Sequence, residues 1–192
     1  MMKKTFLFIL LFCFLGTVVL NAQDKEKNKR KVGSIRVGYH SASQVLDGEK
    51  PNGSDSHNSF YLGFSRDTKI IPVLWFGSGV EYFQNGVNYS DDTKRLMHTI
   101  SVPIDLKVKL GPVYALTGFA ANFVVSEKLK TESSSSTLPE GEKSNWFDAP
   151  FFLGAGIKIA FVSVEARYHW GTIEARNSLY NQYLQIGAAF TF

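Results

Sequence analysis

From Val32 to the C-terminus, apolar and polar residues alternate with a period of two, and no stretch carries a helical period. The pattern predicts eight strands. The first covers Val32–His40, with Ile35, Val37 and Tyr39 facing opposite to Ser34, Arg36, Gly38 and His40. The second, Ser59–Ser65, sets Phe60, Leu62 and Phe64 against Tyr61 and Gly63. The third, Ile70–Phe83, is less regular, and Pro72 marks an end or a bulge within it. The fourth, Arg95–Leu110, alternates best: Ile100, Val102, Ile104, Leu106, Val108 and Leu110 oppose Ser101, Pro103, Asp105, Lys107 and Lys109. Val113–Val125, Ala149–Ile159 and Val162–Trp170 follow. The last strand carries Leu184, Ile186, Ala188, Phe190 and Phe192 on one face, and Tyr183, Gln185, Gly187, Ala189 and Thr191 on the other.

The connections alternate in length. Arg66–Lys69, Gly111-Pro112 and Ala160-Phe161 are short turns. Ser41–Asn58, Gln84–Lys94, Ser126–Asp148 and Gly171–Asn181 are the longer loops, and Ser126–Asp148, which carries the run Ser133–Ser136 and Pro139-Glu-Gly141, reads as disordered. Short turns at one end and long loops at the other are the asymmetry of a membrane-spanning barrel. The expectation is an all-β fold: an eight-stranded antiparallel up-and-down transmembrane β-barrel over residues 32–192. An even strand number puts both termini on one side, the periplasmic one.

Alternation alone fits a barrel of either polarity, including a lipocalin-type one with an apolar inside. Three features favour an apolar outside. The polar face is rich in glycine (Gly38, Gly63, Gly79, Gly118, Gly154, Gly187 among others), which suits a crowded interior. Aromatic residues fall near strand ends, as at Tyr39, Phe60, Tyr82, Tyr114, Trp170 and Phe192. The polar face also holds charges of both signs. Arg36, Lys107, Lys109, Lys158 and Arg167 stand against Glu81, Asp105 and Glu165, enough for an interior ion-pair network. Glu81 with Arg167, or Lys107 with Glu165, are candidate pairs. Eight strands leave an interior that side chains fill, so no open pore is expected.

The ends of the chain agree. Lys3 and Lys4, the apolar run Phe6–Leu20 and Asn21-Ala22 form a secretory signal over residues 1–22, cleaved after Ala22. Residues 23–31 are a basic periplasmic leader in which Lys25, Lys27, Lys29, Arg30 and Lys31 are interleaved with Asp24 and Glu26. The lone cysteine, Cys13, lies in the signal, so the mature chain has no disulfide and no thiol chemistry. The net charge of +4 includes Lys3 and Lys4, and the small remainder does not point to nucleic acid. Gln185, Gly187, Phe190 and Phe192 resemble the C-terminal insertion signal read by the barrel assembly machinery of outer membranes.

Over most of the mature chain the sequence resembles the small outer-membrane β-barrel family that includes the PorT-like proteins. Gly79-Val-Glu-Tyr82 resembles its strand-three signature, and Ile100-Ser-Val-Pro-Ile-Asp-Leu-Lys107 its strand-four element, with departures at Val102 and Asp105. Gly118, Gly154-Ala-Gly156 and Glu165-Ala-Arg-Tyr168 resemble its later strands. The resemblance implies an outer-membrane barrel and, as one role among several, assistance to protein secretion.

Candidate chemistry is sparse. Outer-membrane lipid hydrolases pair a histidine with a serine two residues away on one strand, so that the imidazole can take the hydroxyl proton. His57-Asn-Ser59 has that spacing, with Asp47 and Asp55 as orienting acids, but it lies in a polar rim where such pairs arise by chance. His40, His98 and His169 are isolated rim or lumen residues, and no metal or cofactor motif is present. The leading expectation is a non-enzymatic barrel in contact with outer-membrane lipid, whose outer loops meet an extracellular or protein partner. A secretion accessory and a lipid esterase using His57 and Ser59 are the alternatives.

Overall fold

The structure, a computed structural model, describes residues 31–46, 48–90, 93–131, 134–137 and 144–192. The signal segment and the leader up to Arg30 lie outside the described residues, as do Asp47, Asp91-Asp92 and Pro139–Gly141. The chain forms one antiparallel sheet of ten strands. They are β1 Lys31–Val45, β2 Asp55–Lys69, β3 Leu74–Ser90, β4 Thr93–Leu110, β5 Val113–Thr131, β6 Ser134–Thr137, β7 Phe147–Asp148, β8 Phe151–Ile159, β9 Val162–Arg176 and β10 Leu179–Thr191. Eight of these close into a ring in chain order, because β5 pairs both β4 and β8 and the first strand pairs the last. The closing register sets Ile35 opposite Phe190 and Gly38 opposite Gly187. The short β6 and β7 add to one end of β5. Closure removes the bare edge that a terminal Phe190-Thr-Phe192 strand would otherwise present.

Every long strand turns its apolar side outward. Phe60, Phe64, Leu106, Val164, Ile186 and Phe190 are exposed, whereas Arg36, Glu81, Glu165, Arg167 and Gln185 are buried. A soluble barrel has the opposite polarity, so the lipocalin-type reading is set aside. Inside, aromatic residues take the space that the glycines leave. Gly38 and Gly187 face each other, and a Cβ on Gly187 would lie 2.5 Å from the Tyr61 hydroxyl oxygen and 2.4 Å from the Val37 carbonyl oxygen. Tyr61 fills that cradle with 1% of its surface exposed. Gly187→Val is therefore expected to lower stability by about 1–3 kcal/mol through overpacking. Urea unfolding should show it, and Tyr61→Phe, which removes the crowding oxygen, should return part of the loss.

The strand ends differ from expectation in one systematic way. The predicted turn Arg66–Lys69 belongs to β2, and the chain reverses instead at 70–73, where Leu74 N–H donates to Ile71 O at 3.2 Å. Pro72, with no N–H to give, suits the bend rather than a strand. At the opposite end, strand reaches into all four predicted loops. β1 and β2 extend to Val45 and back to Asp55, and β3 runs through Asn85-Gly86 to Ser90. β9 and β10 meet at a two-residue turn whose Asn177 and Ser178 both have positive φ. The stretch read as disordered contains the end of β5 and all of β6. Backbone pairing continues there after the outer face has ceased to be apolar, and hydrophobic alternation reports burial rather than pairing.

The level of that change is visible around the barrel. Going from the middle of the belt toward the loops, Tyr39 is followed by Ser41, Phe60 by Asn58, Tyr82 by Gln84 and Leu184 by Gln182 on the outward face. Hydrogen bonds join these outward polar groups: Ser41 Oγ to Asn58 Oδ1 at 2.8 Å, and Tyr168 Oη to Gln182 Oε1 at 2.8 Å. Aromatic and polar groups meeting at one level mark an interfacial girdle.

Candidate functional site

The chemistry of this chain is concentrated in the lumen, which is built in three layers. The middle layer is an ion-pair cluster contributed by three strands. Arg36 projects from β1, Glu81 from β3, and Glu165 and Arg167 from β9, two residues apart and hence on one face. Arg167 Nη2 lies 2.8 Å from Glu81 Oε1, and Arg167 Nε lies 3.3 Å from Glu165 Oε1. Arg36 Nη1 is 3.4 Å from Glu81 Oε1, and Arg36 also pairs with Glu165. Each guanidinium thus touches both carboxylates, and the charges of the four groups cancel. Tyr114 Oη donates to Glu165 Oε2 at 2.8 Å, and Arg167 stacks over the Tyr61 ring at 5.4 Å. The arrangement locks side chains across the barrel and leaves no net charge to attract an ion inward.

Toward the termini lies a basic layer. Lys107 and Lys109 of β4 share Asp67 of β2, at 3.2 Å and 2.9 Å. Lys109 also lies 4.1 Å over the Trp75 ring, and Lys158 Nζ donates to Thr191 Oγ1 at 3.1 Å. An open cleft at this mouth is bordered by Ser34, Ser65, Asp67, Lys109, Lys158 and Thr191. Toward the loops lies an aromatic layer. His40 stacks on Phe83 at 4.5 Å, and His169 stacks on Tyr183 at 4.2 Å and on Phe152 at 4.6 Å. His40 Nε2 hydrogen-bonds Asn85 Oδ1 at 2.8 Å, and Asn122 Nδ2 donates to the Tyr183 hydroxyl at 3.0 Å. Above it, Arg95 pairs with Glu127, which also accepts the Ser144 N–H at 2.8 Å.

The eight charged residues singled out in the sequence all fall on the interior face, but not all come together. Arg36, Glu81, Glu165 and Arg167 form one cluster. Lys107 pairs with Asp67 and not with Glu165, because Glu165 is already engaged by two guanidinium groups. Asp105 sits beside Gly77, where an added Cβ would lie 2.5 Å from its Oδ1; it makes no ion pair among the described residues. Of the terminal motif, Gln185 and Gly187 point inward and Phe190 and Phe192 outward. Two groups escaped the sequence reading. Asp67 was placed in a turn, although the Phe60–Phe64 alternation continues through Ser65 and Asp67 on the inner face. Arg95 and Glu127 were at or beyond the predicted strand ends, where no signal marks them as partners.

His57 and Ser59 do not form a dyad. Ser59 Oγ donates to the Gln84 carbonyl oxygen at 2.8 Å, and His57 Nε2 hydrogen-bonds Gln84 Oε1 at 3.2 Å. Both side chains are spent on Gln84, and a β-bulge between Ser56 and Tyr61 separates them from regular pairing with β3. Of the other histidines, His98 lies on the outer face, its Nδ1 bonded to the Tyr82 hydroxyl at 2.6 Å. Among the described residues no group of three or more His, Cys, Asp or Glu is placed to hold a metal ion.

No family model and no curated sequence matches the chain. Solved structures do. The chain is similar to Ail, the attachment invasion locus protein of Yersinia pestis, in its complex with the heparin analogue sucrose octasulfate: 15% identity, TM-score 0.51, covering 85% of this chain and 99% of that one. It is also similar to Neisserial surface protein A, at 13% identity and TM-score 0.51, covering 86% of this chain and all of the other. At these identities the likeness is one of fold, and the fold is the closed eight-stranded antiparallel barrel of small outer-membrane proteins.

Proposed function

We propose that this chain is a non-enzymatic integral outer-membrane barrel with a sealed lumen, whose strands extend past the membrane to present a rim and loops to an outside partner. The observation that carries the reading is the inverted polarity: an exposed apolar belt around a neutral, fully buried ion-pair cluster. Exposed alkyl surface of that extent has no stable place in water, and the closed ring leaves no open strand edge in the belt. The termini and the turns at 70–73, Gly111-Pro112 and Ala160-Phe161 lie at one end, which this reading makes periplasmic. Gln185, Gly187, Phe190 and Phe192 then serve as the signal that the assembly machinery reads.

Fractionation should recover the protein with the outer membrane, and a cysteine at Ser54 should label in intact cells with an impermeant maleimide while one at Gly111 should not. The reverse labelling would turn the barrel over; recovery in the soluble fraction would end the proposal. In planar bilayers the purified barrel is expected to pass no steady current, since Arg36, Glu81, Glu165 and Arg167 bridge the lumen.

The secretion-accessory role implied by the PorT-like resemblance is favoured by one feature, the basic mouth of Lys107, Lys109 and Lys158 at the terminal end. Cross-linking from that mouth in native membranes should capture an envelope partner if the role holds. An esterase role needs Ser59 free to be deprotonated, and the Gln84 carbonyl occupies its hydroxyl. Purified protein in detergent is expected to hydrolyse no acyl ester above the Ser59→Ala background.

A further inference from the structure

The apolar belt is not uniform, and a polar interruption in it is built from specific residues. On β4 the outward column runs unbroken through Leu106, Val108 and Leu110 to the Gly111-Pro112 turn. On β2 it is interrupted: Phe60, Leu62 and Phe64 are followed on the same face by Arg66 and Thr68 before Ile70, which is again exposed. Small residues flank Arg66 itself, while Phe76, the partner of Thr68 on β3, keeps that side apolar. Gly33 and Ser78 are the register partners of Arg66 on β1 and β3, and Lys31 is the partner of Thr68. Ser78 is in turn paired with Ile104, which lies well inside the apolar column of β4. Arg66 is exposed, and among the described residues no carboxylate or other acceptor meets its guanidinium.

A cation facing lipid is costly unless it is paired or reaches a polar layer. Arg66 lies three residues before the end of β2, a distance of about 10 Å along a strand, and its small neighbours leave room for a head group to rise beside it. The Phe192 ring closes the Gly33 side, since a Cβ on Gly33 would lie 2.8 Å from it. A planar guanidinium with an adjacent hydroxyl matches the oxygens of a phosphodiester.

We propose that the outward notch formed by Arg66, Thr68, Ser78 and Gly33 binds the phosphate head group of an anionic phospholipid in the leaflet nearest the chain termini. The assignment rests on the membrane reading above, and on the orientation only for which leaflet is meant. Thr68 and Ser78 donate hydroxyl hydrogen bonds, and Arg66 supplies the charge.

The test uses the whole mature barrel in nanodiscs of phosphatidylcholine with a minor share of phosphatidylglycerol. Both leaflets then carry the same lipid, so the outcome is independent of which way the barrel points. Native mass spectrometry after release should show phosphatidylglycerol retained over phosphatidylcholine. Arg66→Gln should reduce that retention about tenfold, the loss of one charge-assisted hydrogen-bonding group, with Arg66→Lys in between and Lys128→Gln at the other end of the barrel unchanged. Heat-modifiable migration on gels confirms that each variant is folded. Equal retention by wild type and Arg66→Gln, or no preference for the anionic lipid, would overturn the site. A dimer that Arg66→Gln dissociates would assign the notch to a second copy instead. Failure of the wild type to enter nanodiscs at all would refute the membrane reading rather than this one.

Discussion

Arg167→Ala is expected to lower the stability of the barrel by about 3–5 kcal/mol, the usual cost of breaking a buried ion pair from one side. Arg167 is the hub of the lumen. It bridges Glu81 and Glu165, and it stacks on Tyr61 at 5.4 Å and on Phe152 at 6.0 Å. Its removal leaves two buried carboxylates facing Arg36 alone, so one of them must lose its compensation where little water can replace it. The damage comes from the orphaned charge more than from the lost pair. Hence Glu81→Leu combined with Arg167→Met, which keeps the Arg36–Glu165 pair, should recover most of the stability. Urea unfolding in lipid vesicles, followed by tryptophan fluorescence, measures both. The argument fails if Arg167→Ala costs under about 1 kcal/mol, within the range of a solvated surface pair, or if the double variant is no better than the single. A current through Arg167→Ala in planar bilayers would show that the same residue seals the lumen.

What the sequence made legible follows from where each residue lies relative to lipid. Between Tyr39 and Ile35, or Ile100 and Leu110, one face meets an apolar solvent and the other a packed lumen, so alternation is strict and strand, face and closure could all be read. Beyond the girdle both faces meet water or other polar groups. There β1, β3, β5 and β9 continue as paired strands with no period to announce them, and Asn85-Gly86 imitates a turn while sitting inside β3. Gly86 pairs with Leu96 in the ladder, and glycine stands there because a Cβ would lie 2.4 Å from Arg95 O. The interior face of the lumen was legible as a list of charges but not as a set of pairs. Glu81 with Arg167 followed from complementary charge. Lys107 with Asp67 did not, because pairing depends on the stagger between β2 and β4 across β3, which no local pattern encodes. The His57-x-Ser59 spacing shows the converse: a correct interval in sequence, undone by a bulge that gives both side chains to Gln84.

Leu106→Arg is expected to cost about 2–4 kcal/mol and Leu110→Arg only about 0–1 kcal/mol, the depth dependence of a cation on the lipid face of a barrel. Both side chains are outward and substantially exposed, at 46% and 63%, so burial within the protein cannot separate them. Only the solvent differs. Leu106 stands among Phe76 and Thr117 in the middle of the belt, four residues from the end of β4, and an arginine there must drag its charge through alkyl chains. At Leu110 the Gly111-Pro112 turn follows at once and the side chain snorkels to the head groups. A barrel in water would treat the two substitutions alike, and both would be near neutral as exposed changes. Measured by urea unfolding in vesicles, a difference below about 1 kcal/mol would mean that this face does not meet a bilayer. Arg66 is the natural counterpart of the experiment. It lies on the same outward surface, where the hydroxyls of Thr68 and Ser78 stand beside its charge.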